Sequence, residues 1–349
     1  MKLIKLLSIL MGTLCVGCNA QNPNVTVVTP SDFKTAVETD ANGILLDVRK
    51  PDEFAEGHLK GAKLINWLDG DSFKKEAENL DKTKTVYVYC RSGRRSNSAA
   101  NYLADQGFKV VDMKGGIMAW KASGLPTTVL DSDIFFTGKG KRVEITFIKH
   151  GTLMIDAGGY CVHIDPVLMF GTDYSKLPKA DLVLVTHEHG DHFDKTAVEQ
   201  VWKDGTVFLS NGKVAELSKK SEAMKVGETK QFGALSITAA AAYNISPGHE
   251  KFHPKGRDVG FILDIDDLRI YVAGDTEEIS ELAELKDVDI AFLPVNQPYT
   301  MTAAQCIKAI EMFSPKIVYP YHYGETDLKP IVEHFKGKKD IEVRIRRLE

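Results

Sequence analysis

The chain has 349 residues, 43% of them apolar and 26% charged, which are globular proportions and exclude a mostly disordered chain. Its 44 basic and 48 acidic residues leave a net charge of −4, without the basic excess that is typical of nucleic-acid binding, so no nucleic-acid partner is expected. The length predicts two domains, and the single long apolar stretch, at the N-terminus, excludes a polytopic membrane domain.

Residues 1–18 predict an export signal. Two lysines precede an apolar stretch, residues 6–16, that is too short to span a bilayer stably. The segment ends in Cys-Val-Gly-Cys at 15–18, which resembles a bacterial lipobox, although the first of these positions is usually Leu. The resemblance implies lipidation of Cys18 and an exported, lipid-anchored protein of the bacterial cell envelope, facing the periplasm or the cell surface. Residues 19–29 would form a tether, and an ordinary cleaved signal is the alternative.

Short strands and helices alternate between residues 30 and 128, which predicts a domain with a parallel α/β sheet. The apolar run at 43–48 and the β-branched and aromatic run at 85–89 are typical of strands. Residues 96–106 predict a helix with Ser96 as its N-cap.

A cysteine lies between strand 85–89 and the helix that follows it. The positive end of a helix favours an anion, and three arginines in the intervening loop add positive charge. Both effects favour the reactive thiolate and an anionic substrate. The pattern therefore predicts Cys90 as a nucleophile and assigns substrate binding to the rest of the loop: Arg91, Ser92, Gly93, Arg94 and Arg95. The alternative is a buried structural cysteine beside solvated arginines.

Three motifs in this domain resemble the rhodanese family. They are Asp47-Val48-Arg49 with residues 51–54 and 57–62, the loop that begins at Cys90, and residues 115–120. The resemblance implies that Cys90 takes a sulfane sulfur from a donor as a persulfide and passes it to a thiol acceptor. It also implies that Arg91 and Arg95 help to hold thiosulfate or a similar anion.

The same resemblance gives structural roles to other residues of the motifs. Asp47 and Arg49 are interpreted as structural support, and His58 as a residue that packs or hydrogen-bonds locally. Some rhodanese-like modules only dock with a partner, so a non-catalytic binding module is an alternative for this half. Such modules commonly lack the cysteine, which is present here.

Residues 129–141 predict a linker, and 142–349 predict a second, larger α/β domain of sheets covered by helices. A helix is predicted at 302–313. Strands are predicted at 142–149, 152–156, 160–165, 180–186, 259–265, 269–274, 288–294 and 316–321.

Strand 180–186 runs into a sequence of metal-binding residue types. Because alternate residues of an extended chain point the same way, His187 and His189 can bind one ion. Asp191 and His192 can then turn toward a second ion. Imidazole and carboxylate ligands suit zinc, and also manganese or iron.

Two divalent ions need further ligands, and the predicted strand ends supply them. Asp275 follows one strand and His322 another, and a carboxylate can bridge two cations. The remaining ligand lies between residues 243 and 256, where His249 and His253 are the candidates.

These residues resemble the metallo-β-lactamase superfamily, and within it the branch of stand-alone metal-dependent hydrolases that includes ascorbate-phosphate lactonase. The matching segments are 164–166, 186–192, 243–260, 274–276, 293–295 and 320–324. The resemblance implies an αββα sandwich with metal ligands on loops at one edge of the sheets. It implies one site of His187, His189 and a downstream histidine, a second of Asp191, His192 and His322, and Asp275 as the bridge. His253 is favoured over His249 because residues 252–256 resemble the branch pattern.

Ions at such a site activate water and polarise a carbonyl or phosphoryl group, and Asp191 can orient the water. The substrates are expected to be small anionic molecules. A persulfide dioxygenase is the alternative, because that class pairs the same two folds, although it uses a single iron and usually places the rhodanese domain last. His150 stands where the branch often has a histidine, and its role is left open. The remaining residues of interest are interpreted as packing or surface residues: His163, His334, Cys161 and Cys306.

Overall fold

In the computed structural model, residues 22–40 and 42–348 are described, and they divide after Val129 into two compact units, each with its own core. The predicted signal segment 1–18, with Cys18, lies outside the described residues. Within the described ranges, no helix combines the length and apolar content that crossing a membrane requires.

The first unit is a five-stranded sheet in the order β1-β5-β4-β2-β3, and every neighbouring pair of strands is parallel. Its strands are β1 (Val25–Val28), β2 (Ile44–Asp47), β3 (Lys63–Leu64), β4 (Thr85–Tyr89) and β5 (Lys109–Met113). Its helices are α1 (Pro30–Thr39), α2 (Pro51–Ala55), α3 (Gly70–Glu78), α4 (Arg94–Asp105) and α5 (Gly116–Ala122). The prediction of a parallel-sheet domain is confirmed.

Both faces of this sheet are buried, because helices cover each of them. Successive side chains of a strand point to opposite faces, so Val86 and Val88 of β4 pack with Leu103 of α4. Tyr87 and Tyr89 pack on the other face with α1 and α5 residues. The central strand β4 therefore ends at Cys90 with helices on both sides.

Two sequence predictions in this unit are wrong. The predicted tether includes residues 25–28, which form β1 and pair with 110–113 of β5. This strand is short and flanked by polar residues, so the sequence pattern did not indicate it. The strand it pairs with is also more than 80 residues away along the chain. Helix α4 begins at Arg94 rather than at residue 96, because Gly93 takes the N-cap position with φ 94° and turns the chain into the helix. Ser96 lies in the first turn, where its hydroxyl donates to the Gly93 carbonyl.

The second unit contains two seven-stranded sheets. The first consists of β6 (Ser132–Phe136), β7 (Arg142–Lys149), β8 (Thr152–Ala157), β9 (Cys161–Ile164), β10 (Leu182–Val185), β11 (Val207–Ser210) and β12 (Glu222–Ala223). The second consists of β13 (Thr229–Phe232), β14 (Leu235–Ala242), β15 (Asp258–Ile265), β16 (Leu268–Val272), β17 (Ile290–Pro294), β18 (Ile317–Tyr321) and β19 (Glu342–Val343). In each sheet an antiparallel run of four strands continues into three parallel ones.

The two sheets pack face to face, and one apolar core joins residues of both, such as Ile155 of β8 and Phe261 of β15. Helices cover the outer faces: α6 (Lys195–Val201) and α7 (Gly212–Leu217) on the first sheet, and α8 (Ala303–Phe313) and α9 (Lys329–Phe335) on the second. Short 3₁₀ turns lie at Tyr174–Lys176 and Ser280–Glu284. The αββα prediction is confirmed.

The predicted linker 129–141 is wrong in part, because residues 132–136 form β6, the edge strand of the first sheet. Strand β6 pairs antiparallel with β7, with Ser132 opposite Thr146. Two phenylalanines at the end of β6 are only partly buried, so the run lacks the strong apolar pattern of a central strand. The second unit therefore starts earlier in the chain than the sequence predicts.

Candidate functional site

The loops after several strands of the second unit meet at one edge of the two sheets. The loop after β10 carries residues 187–192, the loop after β16 carries Asp275, and the loop after β18 carries His322. His253 lies on the segment before β15, and His150 on the turn between β7 and β8. Parallel strands bring their carboxyl ends to the same edge, which explains why residues so distant in sequence meet here.

The first group of side chains in this cluster is His187, His189 and His253. Their ring centroids lie 4.6 to 4.9 Å apart, and each ring offers one nitrogen within 4.8 Å of the others. His187 and His253 are buried and His189 is half-buried. The sequence assigned His187 and His189 to one ion and favoured His253 over His249 as the third ligand.

The second group is Asp191, His192 and His322, together with His150. Asp191 Oδ2 lies 3.5 Å from His322 Nε2, 3.9 Å from His192 Nε2 and 3.4 Å from His150 Nε2. The sequence assigned the first three residues to a second ion and left His150 open. The structure brings all four together.

Asp275 lies between the two groups. Its Oδ2 atom is 3.3 Å from His253 Nε2 and 3.8 Å from His187 Nε2, both of the first group. The same oxygen is 3.4 Å from His322 Nε2, and Oδ1 is 3.4 Å from His192 Nε2. A carboxylate in this position faces both groups, as the sequence predicted.

The donor atoms fit divalent metal ions. Ligands at about 2.1 Å from a tetrahedral ion lie roughly 3.4 Å from one another, which is close to the separations around Asp275. Buried polar atoms normally have hydrogen-bond partners. Four buried atoms that face one another here have no such partner among the described residues, namely the Nε2 atoms of His187, His192 and His322 and the Oδ1 atom of Asp275.

Two aspartates that the sequence analysis did not assign hold the histidines from behind. Asp165 accepts a hydrogen bond from His192 Nδ1 at 2.7 Å and another from the Thr186 hydroxyl at 2.7 Å, while that hydroxyl lies 3.0 Å from His187 Nδ1. Asp258 accepts from His253 Nδ1 at 2.9 Å. Such contacts orient each imidazole and direct Nε2 toward the cluster. Their positions in the sequence were the available signal for this role, because Asp165 directly follows β9 and Asp258 is the first residue of β15.

The electrostatics of the cluster favour cations. Burial lowers the pKa of His192, but the carboxylates of Asp275 and Asp165 outweigh it and raise that pKa to about 10. Burial opposes ionisation of Asp191, yet the side chains of His150 and His322 hold its pKa well below the usual range. Burial keeps the pKa of His187 well below its ordinary value, so this imidazole is neutral, the form that binds metals.

The structure separates the two histidines that the sequence left open. His253 is buried inside the cluster, whereas His249 is partly exposed and its Nδ1 lies 3.2 Å from Glu277 Oε1. His163 is buried, with Nε2 2.9 Å from the Pro178 carbonyl oxygen, and burial lowers its pKa to about 4. His334 is exposed beside Glu311. The packing and surface interpretations of these last two are confirmed.

A pocket of about 320 Å³ opens onto the cluster. Besides the histidines and aspartates, its walls contain Phe252, Tyr299 and Asn296. The two aromatic rings meet edge to face with centroids 5.1 Å apart. The pocket thus combines a polar floor with an aromatic wall, as small-molecule sites generally do.

The Cys90 loop of the first unit forms a separate candidate site. Cys90 is buried at the end of β4, and its Sγ accepts a hydrogen bond from the Gly93 backbone N–H at 3.2 Å. The 12-residue helix α4 starts directly after this glycine, so the positive end of the helix faces the Cys90 loop. Arg91 and Arg94 are exposed, as is Ser92.

Arg95 has a defined partner within this loop region. Its two terminal nitrogens donate to the Glu53 carboxylate at 2.6 and 2.7 Å, and this contact lowers the pKa of Glu53 to about 2. A role for Arg95 in anion binding therefore stays a prediction. Behind the loop, Gly116 is required, because a Cβ at this position would lie 2.8 Å from the Arg91 carbonyl oxygen.

The remaining motif residues make structural contacts elsewhere in this unit. Arg49 and Asp47 form a buried ion pair at 2.6 Å, and Arg49 also donates to the Gly57 carbonyl. His58 stacks on Phe54 with ring centroids 3.7 Å apart. Of the other cysteines, Cys306 is buried and Cys161 is half-buried in β9.

Comparison with known proteins gives matches to both units. Residues 144–322 match a β-lactamase superfamily domain, and residues 29–123 match a rhodanese-like domain. Two curated proteins, both named UPF0173 metal-dependent hydrolase, come from Methanopyrus kandleri (31% identical over 195 residues) and Thermus thermophilus (32% over 193). Each match covers 52% of this chain and 84% of the relative. A solved metal-dependent hydrolase from Parabacteroides distasonis is 48% identical with a TM-score of 0.61, covering 63% of this chain and all of that one.

Proposed function

Because the chain belongs to the metallo-β-lactamase superfamily and carries a rhodanese-like domain ahead of its metal-dependent hydrolase domain, we propose that it joins a dinuclear hydrolase to a sulfurtransferase. The observation that carries the dinuclear part is the arrangement of donors around Asp275. This carboxylate faces two separate groups of side chains, each with enough nitrogen and oxygen atoms to hold an ion. With a single ion, the donors of one group, several of them buried, would have no ion to bind.

The first ion would be held by His187, His189 and His253, the second by Asp191, His192 and His322, with Asp275 shared. Zinc suits this donor set, as do manganese and iron. When bound, such ions supply a water nucleophile at neutral pH and polarise the substrate's carbonyl or phosphoryl oxygen.

The protein's own residues contribute positioning. Asp191 is partly exposed to the pocket, so its carboxylate can accept a hydrogen bond from the attacking water and keep that water oriented. Phe252 and Tyr299 offer an aromatic wall to the part of the substrate that does not react. The Asn296 side chain also lines the pocket, and its amide can donate to a substrate oxygen. Esters, lactones and phosphoesters of small anionic molecules are the substrates to test, in keeping with the ascorbate-phosphate lactonase branch.

The test is elemental analysis of anaerobically purified protein, read beside hydrolysis and oxygen-uptake assays. We expect about two zinc or manganese ions per chain, hydrolysis of a lactone or phosphoester, and no oxygen uptake with a persulfide. One iron per chain with persulfide-dependent oxygen uptake would contradict the proposal. That result would instead identify a persulfide dioxygenase, whose substrate the Cys90 domain would supply.

For the first unit, we propose sulfur transfer through Cys90. Its thiolate attacks the outer sulfur of thiosulfate, forming a new S–S bond, while the donor's S–S bond breaks and sulfite leaves with the electron pair. A thiol acceptor then attacks the outer sulfur of the persulfide and returns Cys90 as a thiolate. The Gly93 N–H on Sγ and the start of α4 support this role, since both stabilise negative charge on the sulfur.

We further propose that the protein is exported and anchored by lipid on Cys18 in the cell envelope. The basic and apolar segments before Cys18 support this. Incorporation of labelled palmitate by the expressing bacterium is the measurement that checks it, and unlabelled protein of cleaved length would contradict it.

A further inference from the structure

His150 is the residue of the cluster that the family resemblance left without a role. It lies on the turn between β7 and β8, more than 30 residues before the other donors in sequence. We infer that His150 is a metal ligand of the second group, which then has four side-chain donors: His150, Asp191, His192 and His322. This inference rests on the proposed function, because it presupposes an ion at that group.

The spacing between His150 and Asp191 matches that of the other donors of the second group. His150 Nε2 lies 3.4 Å from Asp191 Oδ2, and His322 Nε2 lies 3.5 Å from the same oxygen. Both distances are close to the roughly 3.4 Å that separates two ligands of one tetrahedral ion. The four side chains of this group each offer one ligand atom within 4.8 Å of the others.

The backbone of His150 is held in a conformation that needs support. His150 has φ 53° and His322 has φ 46°, both in the left-handed region that is costly for residues with a side chain. The two turns are joined, because the His322 N–H donates to the His150 carbonyl at 3.3 Å. The His150 N–H donates in turn to the carbonyl of Leu348, a buried residue near the end of the chain.

The ring of His150 is also confined. Its centroid is 3.8 Å from that of His322 and 4.9 Å from that of Phe170, so neighbours on two sides limit its rotation. The next residue, Gly151, permits a close approach, since a Cβ there would lie 2.7 Å from Cε1 of His192. Packing alone would not require the turn at His150 to lie against His192. It would also not require the His150 Nε2 atom to face Asp191.

The consequence is that the two ions are held unequally. With Asp275 shared, the first ion would have four protein ligands and the second would have five. The extra imidazole would make the second group bind its ion more tightly and fill first. The first group, with fewer protein donors, is the one where water or substrate would add a ligand.

The test is titration of the metal-free full-length protein with Co(II), followed by cobalt counting after equilibrium dialysis and by visible absorption. The main variant is His150→Asn, because asparagine tolerates the left-handed conformation. We expect two Co(II) per wild-type chain with unequal affinities. In the variant, the tighter Co(II) should bind at least about 10-fold more weakly, since loss of even an outer partner costs that much, and its absorption band should change.

Two further variants make the result specific. Phe170→Leu keeps an apolar contact beside the His150 ring and should titrate as wild type. His150→Gln retains a group that can hydrogen-bond to Asp191 but is a poor metal ligand, so it should behave as His150→Asn if His150 is a ligand. Wild-type affinity and absorption in His150→Gln would overturn the inference, as would wild-type behaviour of His150→Asn.

The same titration separates this inference from the two-ion proposal. One Co(II) per wild-type chain would contradict the dinuclear proposal. With a single ion, a changed cobalt spectrum in His150→Asn would still support His150 as a ligand, and an unchanged spectrum would overturn that role. Thermal melting of the metal-free proteins identifies any variant that fails to fold.

Discussion

Replacing His253 with alanine should remove about one ion per chain and lower hydrolysis by on the order of 10³-fold. Its Nε2 lies 3.3 Å from Asp275 Oδ2, and its ring is within 4.9 Å of the rings of His187 and His189. Loss of one of three histidines leaves the first group with too few donors to hold an ion. A loss of about 4 kcal/mol of transition-state stabilisation corresponds to that rate factor. The measurements are metal content and turnover of whichever lactone or phosphoester the wild-type protein hydrolyses.

His249 provides the matched control, because it belongs to the same loop and is also a histidine. Its side chain contacts Glu277 and lies outside the cluster. His249→Ala should therefore keep both ions and near wild-type turnover. If His249→Ala lost metal while His253→Ala kept it, the assignment of the first group would be wrong. If both variants kept two ions, neither histidine would be a ligand.

Replacing Cys90 with serine should reduce sulfur transfer from thiosulfate to the background rate of the assay. Serine preserves the size of the side chain and its position at the end of β4, but a hydroxyl cannot form the persulfide. Thiocyanate formation from thiosulfate and cyanide measures the transfer directly. Metal content should stay at the wild-type value, because Cys90 and the metal ligands belong to different units.

Cys161→Ser is the control for this variant, since Cys161 is a half-buried cysteine in β9 of the other unit. It should transfer sulfur at the wild-type rate. Thiocyanate formation by Cys90→Ser at the wild-type rate would eliminate Cys90 as the nucleophile. Absence of transfer in the wild-type protein, with thiosulfate and several other sulfane donors, would favour the non-catalytic binding module instead.

Much of both sites could be predicted from local sequence because their residues are neighbours along the chain. His187, His189, Asp191 and His192 follow one strand, and the Cys90 loop lies between β4 and α4. A strand end followed by a short loop constrains where such side chains can point, whatever the rest of the fold does. Strand–helix alternation predicted the parallel-sheet domain, and the resemblance of the metal-binding motifs to the metallo-β-lactamase superfamily implied the αββα fold.

The weak strands could not be predicted in this way. Residues 25–28 and 132–136 form short strands at sheet edges. An edge strand pairs with a neighbour on one side only, and these two are partly exposed, so their sequences lack a strong apolar pattern. Their assignment depends on strands β5 and β7, which pair with them. Composition around these runs is that of a loop, so only the pairing reveals the strands.

Sequence alone determined which residue types were available to bind metal and to carry sulfur, and on which strand ends most of them lie. The tertiary structure decided which distant residues complete the cluster of candidate metal ligands. His253 is turned inward by Asp258 while Glu277 keeps His249 outside, and the joined turns of His150 and His322 bring His150 to Asp191. These choices depend on loop conformations that are set by hydrogen bonds and packing between segments far apart in the chain. Residue spacing within a single segment carries no information about such contacts.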